Sequence, residues 1–514
     1  MADGPRYTFP PLERRGLLLG LGTGQLLTLG AGIVSAVVVH SAVGGSPGSA
    51  LAVVTAAVSV VGAVWTRDGS SLVVWAQLAL SWLGRRSRGV VVDPAPLEGR
   101  PWRNGPLLAP PGRVAPEGAG TTAAGSRRRG TGWQGCAVPG ITLLDDDGLP
   151  GESSIAMIRD RRMGTLAGVM KVDGGPLSLL DPADQARQLE GWRQVLGAVC
   201  RTGSPVSRLQ WVQRSWTGTD AGVGLSPPDR DGGVRAEASD SYQHVRRAVL
   251  PQVIHHDAWV ALCVGGAGVA RPPSGRRLTS IGRPPSAEGR TGDRRIASLR
   301  RELRLLTGQL TAAGLRPGEP LGPGPLGELL CRPHRPAVEA VRSGSLPWAL
   351  AIDDRWTCCR TDGMWHATFW VAEWPRVEVG PDFMAPLLLT GVRVAVSVVM
   401  APVPIDRAWR QVRSARTADV ADAQLRSRAG FLASARRDRE AGGVERREAE
   451  LADGHHEFRY SGYVTISAVD PEQLVSACAE AEHAAQTSRL ELRRLYGRQV
   501  EALTWTLPLG RGLR

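Results

Sequence analysis

The chain has 514 residues and a formal net charge of +13, and because Lys171 is its only lysine, arginine carries almost all of the positive charge. This length is sufficient for a membrane segment and two soluble domains. The charge implies a basic surface, which attracts anionic lipid headgroups and nucleic acid alike. The seven cysteines are odd in number and have no metal-ligand spacing, which argues against a disulfide framework or a zinc site and indicates a reducing compartment.

A long uncharged stretch near the N-terminus predicts a membrane segment. No Asp, Glu, Lys or Arg occurs between Arg15 and Arg67, and a Gly/Ser/Pro turn at residues 44–48 divides the stretch into two apolar arms, Leu17–Val39 and Ser49–Thr66. At about 1.5 Å per helical residue, each arm is long enough to cross a hydrocarbon core of about 30 Å. The sequence therefore predicts a two-helix transmembrane hairpin.

Arginines on both sides of this hairpin predict its orientation. They are Arg6, Arg14, Arg15, Arg67, Arg85, Arg86 and Arg88. Because cytoplasmic flanks carry an excess of positive charge, we expect a cell-membrane protein with two spans and both termini in the cytoplasm. A cleaved export signal is the alternative, since paired arginines before an apolar run resemble a twin-arginine signal. The length of the first arm and the presence of the second argue against that alternative.

Two further segments complete the membrane-proximal region. Residues Leu72–Leu83 are too few to span a membrane, but they carry Trp75 and Trp82 and lead into arginines, which predicts an interfacial helix within a membrane unit of residues 1–89. Residues 90–150 are rich in Pro, Gly and Arg and are predicted to be a linker beside lipid headgroups. Contact between this linker and nucleic acid stays open, although aromatic residues for base stacking are nearly absent.

A first cytosolic α+β unit is predicted for residues 151–345. Its expected elements are a β-hairpin of strands 155–159 and 165–172, a helix that starts at Asp181-Pro182, and strands 207–213 and 258–263. A Pro/Gly/Ser/Arg-rich insertion near 270–292 is predicted to be disordered. Asp293 then opens a helix whose leucines recur at steps of three and four, which favours a buried helix face over a coiled coil.

A second cytosolic α+β unit is predicted for residues 346–514. Its expected elements are strands 356–360, 365–371, 393–400 and 458–468 and charged helices 406–441 and 444–452. Asp362-Gly363 is a hairpin turn and Gly442-Gly443 separates the two helices. Asp470-Pro471 repeats the helix start of the first unit, which suggests two related halves. The fold class is therefore α+β, a transmembrane hairpin followed by ferredoxin-like or βαβ-type domains.

Motifs of nucleotide and hydrolase chemistry are absent or misplaced. The sequence has no G-x-x-x-x-G-K-[ST], and Lys171 lies in a strand-like context, so the chain is not itself a P-loop ATPase. Gly322–Gly327 matches G-x-G-x-x-G only as a string, because its prolines and the missing strand before it do not fit a dinucleotide site. Gly44–Gly48 matches G-x-S-x-G at the tip of the hairpin. We interpret both as chance matches.

The strongest enzymatic candidate is the acidic run Asp145-Asp146-Asp147. Clustered carboxylates hold Mg²⁺ or Mn²⁺ against sugar-nucleotide diphosphates in glycosyltransferases, but an acidic turn before Gly148 is the favoured interpretation. His255-His256-Asp257 and His455-His456-Glu457 contain metal-ligand types, yet adjacent strand residues face opposite sides, so we expect solvated strand ends. We therefore assign no catalytic, cofactor-binding or metal-binding residue and expect a protein that is not an enzyme.

Six short motifs carry a family resemblance. They are Glu13–Gly20, Ile158–Arg162, Leu180–Gln185 with Trp192, Arg208–Trp211, Leu492–Gln499 and Leu507–Leu513. In them the chain resembles an actinobacterial family of PrgI-like membrane proteins from conjugative, type IV-like secretion systems. The last two motifs are also similar to the non-motor stretch that precedes the motor in VirB/TraC-type ATPases.

The resemblance implies a membrane platform, a PrgI-like hairpin fused to a domain that docks a separate cytosolic ATPase. The implied partners are membrane lipids, a VirB/TraC-like ATPase and other secretion-channel subunits, and a homo-oligomer fits the same plan. EccE-like membrane components of type VII secretion share this plan and are the nearest alternative. A membrane-bound glycosyltransferase that uses Asp145–Asp147 is the alternative from a different class. No catalytic residue carries over from the family.

Overall fold

The computed structural model describes most of the chain in several ranges. They are residues 9, 23–64, 66–67, 70–87, 140–146, 154–175, 177–217, 241, 244, 253–265, 286–334, 349, 352–429 and 435–513. Residues 90–139 of the predicted linker 90–150 and most of the predicted insertion lie outside the described residues. The architecture within these ranges is α+β, an apolar helical hairpin followed by a large antiparallel sheet.

Two apolar helices, Thr23–Val43 (α1) and Gly45–Val64 (α2), form the N-terminal hairpin. Both are long and apolar enough to cross a membrane. The turn between them is tighter than predicted, because the chain reverses at Gly44 and Gly45, whose φ angles are +65° and +61°. Glycine adopts this left-handed backbone without strain, so two glycines are enough to reverse the chain. Residues 46–48 of the expected turn therefore belong to α2.

Small side chains allow α1 and α2 to pack closely. A Cβ added at Gly32 of α1 would overlap Ser59 of α2. Gln25 of α1 donates a hydrogen bond from Nε2 to the carbonyl of Ala63 at 2.8 Å, close to the base of the hairpin. Close backbone approach and interhelical hydrogen bonds are the main attractions between apolar helices in lipid, where no hydrophobic effect acts between them.

A short ribbon and a third helix connect the hairpin to the rest of the chain. Strands Thr66–Arg67 (β1) and Ser70–Ser71 (β2) pair antiparallel, and helix Leu72–Ser87 (α3) follows without a break. α3 is longer than the predicted interfacial helix by one turn, because its basic end remains helical. Arg85 and Arg86 in the last turn stabilise the helix, because positive charge interacts favourably with the negative C-terminal end of the helix dipole.

The large sheet contains twelve strands. They are Ile141–Asp146 (β3), Ile155–Asp160 (β4), Thr165–Asp173 (β5), Val206–Thr217 (β6), Ile254–Gly265 (β7), Arg316–Pro320 (β8), Ile352–Asp354 (β9), Cys359–Thr361 (β10), Met364–Glu373 (β11), Arg393–Pro402 (β12), Phe458–Ala468 (β13) and Glu491–Arg494 (β14). Their order is β3-β4-β5-β7-β6-β12-β13-β11-β10-β9, with β8 also paired to β5 and β14 to β11. Every pairing is antiparallel.

Among the described residues, eight α-helices accompany this sheet. They are Pro182–Val199 (α4), Ser286–Ala312 (α5), Pro323–Cys331 (α6), Ala385–Leu388 (α7), Ile405–Ala429 (α8), Ala435–Ala452 (α9), Pro471–Thr487 (α10) and Gln499–Leu503 (α11). Both predicted helix starts are confirmed. The carboxylate of Asp181 accepts from the backbone N–H of Asp184 at 2.8 Å, and that of Asp470 accepts from Gln473 at 2.8 Å. Each cap satisfies a backbone donor that the helix itself leaves free.

Two sets of strands in the sheet share an order of elements, apart from α8 and α9, which lie between β12 and β13 of the second set. We call these two sets the halves of the sheet. The first half follows the chain order β5, α4, β6, β7, α5, β8, and its strands lie side by side as β8-β5-β7-β6. The second half follows the chain order β11, α7, β12, β13, α10, β14, and its strands lie side by side as β14-β11-β13-β12. β6 and β12 then pair at the centre, from Leu209 opposite Met400 to Ser215 opposite Val394. The two Asp-Pro helix starts are not equivalent in this arrangement, because α4 follows the first strand of its half and α10 follows the third strand of its half. The recurrence therefore depends on the strand order and not on the repeated Asp-Pro.

The two faces of the sheet are covered differently. Helices α4 and α5 pack on one face of the first half, where Leu299, Leu303, Leu306 and Leu310 of α5 are buried as the leucine spacing predicts, and α10 packs on the second half. On the opposite face, α6 and the C-terminal segment share a core with β5, β6 and β7. Side chains of one strand alternate between the two faces, so every central strand contributes to both cores.

Four segments differ from the sequence predictions. The predicted strand 356–360 begins only at Cys359, because Trp356 and Thr357 lie in the bend between β9 and β10. β3 lies inside the predicted linker, because the alternating residues Ile141 and Leu143 are buried against β4. α5 begins at Ser286, inside the predicted disordered insertion. The Gly442-Gly443 pair lies within α9 instead of between two helices. α9 buries Val444 against α8, and this packing outweighs the helix cost of about 1 kcal/mol for each glycine.

Candidate functional site

Helix α3 is attached to the second half of the sheet by aromatic rings. The ring of Trp75 lies 5.0 Å from that of Tyr496 and 5.9 Å from that of Trp356, measured between centroids. Trp82, two turns later, meets Trp356 edge-on at 5.5 Å. Aromatic pairs at such distances contribute about 0.5–1.5 kcal/mol each beyond the area they bury. The two tryptophans that predicted an interfacial helix therefore contact the sheet, and the opposite side of α3 exposes Leu80.

Polar contacts continue this attachment at the end of α3. Arg85 donates a hydrogen bond from Nη2 to the carbonyl oxygen of Gly497, and its Nε lies 3.7 Å from Oδ2 of Asp354. The Asp354 side chain is only 17% exposed. Burial raises the pKa of this carboxyl to about 6, and the nearby Arg85 opposes the rise only in part. We call this contact between α3 and the sheet the junction.

Glycine is required at one position of the junction. Gly497 has a φ of +68°, and a Cβ there would lie 2.6 Å from Cζ3 of Trp356. Its N–H donates to the carbonyl of Trp356 at 2.8 Å. The motif Leu492–Gln499, which carries part of the family resemblance, therefore supplies the surface on which α3 rests.

The chain before α1 also contacts the second half of the sheet. Phe9 stacks on Trp374 with ring centroids 5.1 Å apart and meets Phe383 at 5.4 Å. Trp374 follows β11 directly, and Phe383 lies just before α7. Both flanks of the apolar hairpin therefore rest on the same half of the sheet.

A second constellation holds the C-terminal segment, residues 504–513, across the centre of the sheet. We call this segment the C-terminal clasp. Gln210 of β6 is fully buried, and its Nε2 lies 2.9 Å from the carbonyl oxygens of both Trp505 and Leu507. Its Oε1 accepts from the N–H of Gly510 at 2.6 Å. A buried amide with its donor and acceptor both engaged fixes the clasp in one register.

Two arginine contacts complete the clasp. Arg208 donates to the carbonyl oxygens of Gly510 at 2.8 Å and Leu513 at 3.0 Å. Arg511 donates from Nε to Oδ2 of Asp160 at 2.6 Å, and the Asp160 carboxylate is 1% exposed. Three of the six motifs, Ile158–Arg162, Arg208–Trp211 and Leu507–Leu513, thus meet in one place although they are far apart in sequence.

The acidic run considered for glycosyl transfer is occupied by protein partners. Oδ1 of Asp145 accepts a hydrogen bond from Ser154 at 2.8 Å. Asp146 pairs with Arg300 of α5 at 2.6 Å, which fastens the edge strand β3 to the helix layer. Asp147 lies outside the described residues. These contacts give both described carboxylates a structural role in the sheet.

The two histidine-containing runs do not converge on a metal site. Asp257 is buried and pairs with Lys171 at 2.6 Å, so it is not the solvated strand end that we expected. The Asp257 carboxylate can be buried because cations from neighbouring elements, Lys171 and Arg332, lie beside it. His455 and His456 are exposed, as predicted. Among the described residues, no group of three potential metal ligands occurs.

The residues that form the junction and the clasp could not be chosen from the sequence as a site. From the sequence, Arg85 indicates only the orientation of the hairpin in the membrane. Asp160, Gln210 and Arg511 belong to motifs, but the sequence gives none of them a contact. The motifs were the available signal for the clasp. They mark the segments that meet, but they do not indicate which residues of these segments are in contact. Asp354 belongs to none of the motifs and had no such signal.

Neither a protein-family model nor a curated protein matches this chain. The resemblance to PrgI-like proteins therefore depends on the short motifs alone.

Proposed function

We propose that the protein is a non-enzymatic, membrane-anchored structural subunit of a type IV-like secretion or conjugation apparatus, which docks a separate cytosolic ATPase. One observation carries the proposal: both flanks of an apolar hairpin rest on the same half of a large sheet. An anchor that is packed against its soluble unit orients that unit relative to the bilayer, which a platform for a motor requires.

The membrane part of the proposal is supported by the surface of α1 and α2. Val34, Val53 and Val58 are 63%, 68% and 66% exposed, and they belong to a surface that is apolar along both helices. A soluble monomer rarely exposes an apolar patch of this extent, whereas lipid covers it at no cost. The flanking arginines support a topology in which both ends of the hairpin, and the sheet with them, are in the cytoplasm.

The sheet fits a binding platform. We propose that each half is a ferredoxin-like unit, because a β-α-β-β-α-β order with antiparallel strands is that of the split βαβ motif. The C-terminal clasp covers the centre of one face and buries its own motif residues. The motifs Leu492–Gln499 and Leu507–Leu513 resemble the stretch that precedes the motor in the ATPases. Their packing against α3 and against the sheet supports a structural role for both motifs in a docking domain.

The non-enzymatic part of the proposal is supported by the occupied polar groups. Asp145 and Asp146 are held by Ser154 and Arg300, and Lys171 pairs with Asp257 outside any glycine-rich loop. A phosphate-transfer or glycosyl-transfer site requires such groups to be available to a nucleotide or a metal ion.

Affinity purification of the tagged full chain from membranes in a mild detergent tests the proposal. We expect a VirB/TraC-like ATPase and further channel subunits to co-purify, and the tag alone to recover neither. Recovery of type VII secretion subunits would identify the EccE-like alternative. If the extract contains these proteins and none is recovered, the platform function is wrong. Mn²⁺-dependent binding of a nucleotide sugar by the purified chain, lost in Asp147→Asn, would instead support the glycosyltransferase.

A further inference from the structure

A buried arginine of the central strand β6 has one edge without a partner. The Arg214 side chain is 8% exposed and lies on the face covered by α6. Its Nη1 donates to the carbonyl oxygen of Leu329 at 3.1 Å, and its guanidinium lies over the ring of Trp259 at 5.0 Å. Within the described part of the chain, its buried Nε and Nη2 atoms have no hydrogen-bond partner.

The unpartnered atoms have the geometry of an oxyanion fork. Nε and Nη2 lie on one edge of the guanidinium, so their N–H bonds are parallel and match two oxygens of a phosphate or carboxylate group. Trp216, two residues further along the same face of β6, also has a buried indole N–H that lacks a partner among the described residues. All three atoms are donors, so the group that would satisfy them is an acceptor.

The surrounding charges also favour an anion. Asp257 is the carboxylate opposite Arg214 in the strand pairing, but its oxygens lie 2.6 Å from Lys171 Nζ and 3.5 Å from Arg332 Nη1. One carboxylate is thus surrounded by three cations. The pKa of Arg214 is lowered to about 9, mainly by burial; Asp257 opposes the shift, and Arg332 and Arg393 add to it. The guanidinium is protonated at neutral pH, and no carboxylate among the described residues contacts it. A buried cation of this kind is costly unless an anion joins it.

We propose that the protein binds a small phosphate-type oxyanion at Arg214, on the face of strands β6 and β7 that α6 covers. The donor atoms are buried, which favours a small soluble ion over a macromolecule or a lipid headgroup. A dianionic phosphate balances the two excess positive charges around Asp257 better than a carboxylate does. Arg332, whose side chain is 28% exposed and lies 5.1 Å over the ring of Trp216, faces the solvent side from which the ion enters. This site does not depend on the proposed docking function.

Isothermal titration of the full chain in detergent with inorganic phosphate, at constant ionic strength in chloride buffer, tests the site. We expect saturable binding with one ion per chain. Arg332→Gln should weaken it by roughly tenfold, about 1.4 kcal/mol, because it removes one cation from the rim of the site. Arg214→Gln should abolish it, and thermal unfolding checks that this variant is folded. Arg193→Gln is the matched control, since Arg193 is an exposed arginine paired only with neighbouring Glu190.

Three results would overturn the proposal. They are the absence of saturable phosphate binding by the wild type, unchanged affinity in Arg332→Gln, and acetate binding as tight as phosphate binding. Arg332 lies at the rim of the site, so its variant remains informative even if Arg214→Gln does not fold.

Discussion

Asp160 and Arg511 form an ion pair of 2.6 Å although 351 residues separate them in the chain. The carboxylate is 1% exposed and also accepts from the backbone N–H groups of Arg162 and Met163 at 2.8 and 3.1 Å. The pair joins the β4–β5 turn to the C-terminal clasp. It therefore connects the first strands of the sheet to the last residues that the structure describes.

Removal of either partner should be strongly destabilising. Asp160→Asn leaves the Arg511 guanidinium in a site where its side chain is only 11% exposed, and we expect a loss of about 3 kcal/mol in the free energy of unfolding. Urea unfolding in detergent, as a double-mutant cycle with Arg511→Gln, measures this coupling. The exposed pair Glu190–Arg193 is the control and should show little coupling. Equal coupling energies in the two cycles would mean that the clasp does not depend on this pair.

The clasp also requires glycine at position 510. Gly510 has a φ of +69°, and a Cβ there would overlap Sγ of the buried Cys263. Gly510→Ala should therefore lower the unfolding free energy by more than the roughly 1 kcal/mol that backbone strain alone costs. Gly164→Ala separates the two effects, because Gly164 has a φ of +67° but no heavy atom within 4 Å of its added Cβ. Comparable losses in both variants would contradict the close approach.

The junction should depend on its indoles and not on the hydrophobicity of α3 in general. Trp75→Ala and Trp82→Ala should each weaken docking of α3 by about 1–3 kcal/mol, because they remove aromatic contacts with Trp356. Amide hydrogen exchange of α3 in detergent measures this, with about a tenfold faster exchange for each 1.4 kcal/mol. Leu80→Ala is the matched control on the same helix, since Leu80 is 70% exposed. Equal effects of all three substitutions would contradict the docked position of α3.

Asp354 should make stability depend on pH. Its pKa rises from 3.8 to about 6 in the folded chain, mainly because of burial. Protonation of Asp354 therefore stabilises the folded chain. This contribution to the free energy of unfolding is fully present below about pH 4 and is lost as the pH rises through about 6. Thermal unfolding between pH 4 and 7.5 should show this loss in the wild type and not in Asp354→Asn. Asp353→Asn, which removes the neighbouring partner of Arg355, should retain it. Identical pH profiles of the wild type and Asp354→Asn would refute the assignment.

The glycine pair within α9 should be a stabilising position. Gly442 and Gly443 lie in the helix, and no heavy atom comes within 4 Å of a Cβ added at either. Gly442→Ala should therefore raise the free energy of unfolding by about 0.5–1 kcal/mol, because alanine has the higher helix propensity. Gly454→Ala, at a φ of +86° after the helix end, should lower it. A decrease in both variants would show that the helix is broken at the pair, as the sequence alone predicts.

Local features were predictable because a few adjacent residues determine them. The caps at Asp181 and Asp470 and the turn at Asp362-Gly363 each depend on one side chain and its nearest backbone, and the structure confirms all three. The buried leucines of α5 were equally visible, since their spacing repeats with the helix period.

Features that depend on distant parts of the chain were not predictable. Nothing in the sequence near Asp160 indicates Arg511, and nothing near Arg85 indicates Asp354 or Gly497. The Pro, Gly and Arg content of residues 90–150 predicts a linker, whereas pairing with β4 makes residues 141–146 a strand. α9 continues through two glycines for the same reason, because its packing on α8 is a tertiary contact.

The most direct test of a membrane platform is the recruitment of its motor to lipid. The ATPase recovered by affinity purification is mixed with liposomes that contain the full chain, and the liposomes are floated through a density gradient. We expect ATPase in the floated fraction with the wild type, and none with empty liposomes or with the chain lacking residues 1–89 added from solution. An ATPase that stays at the bottom of the gradient with wild-type liposomes would contradict the docking function.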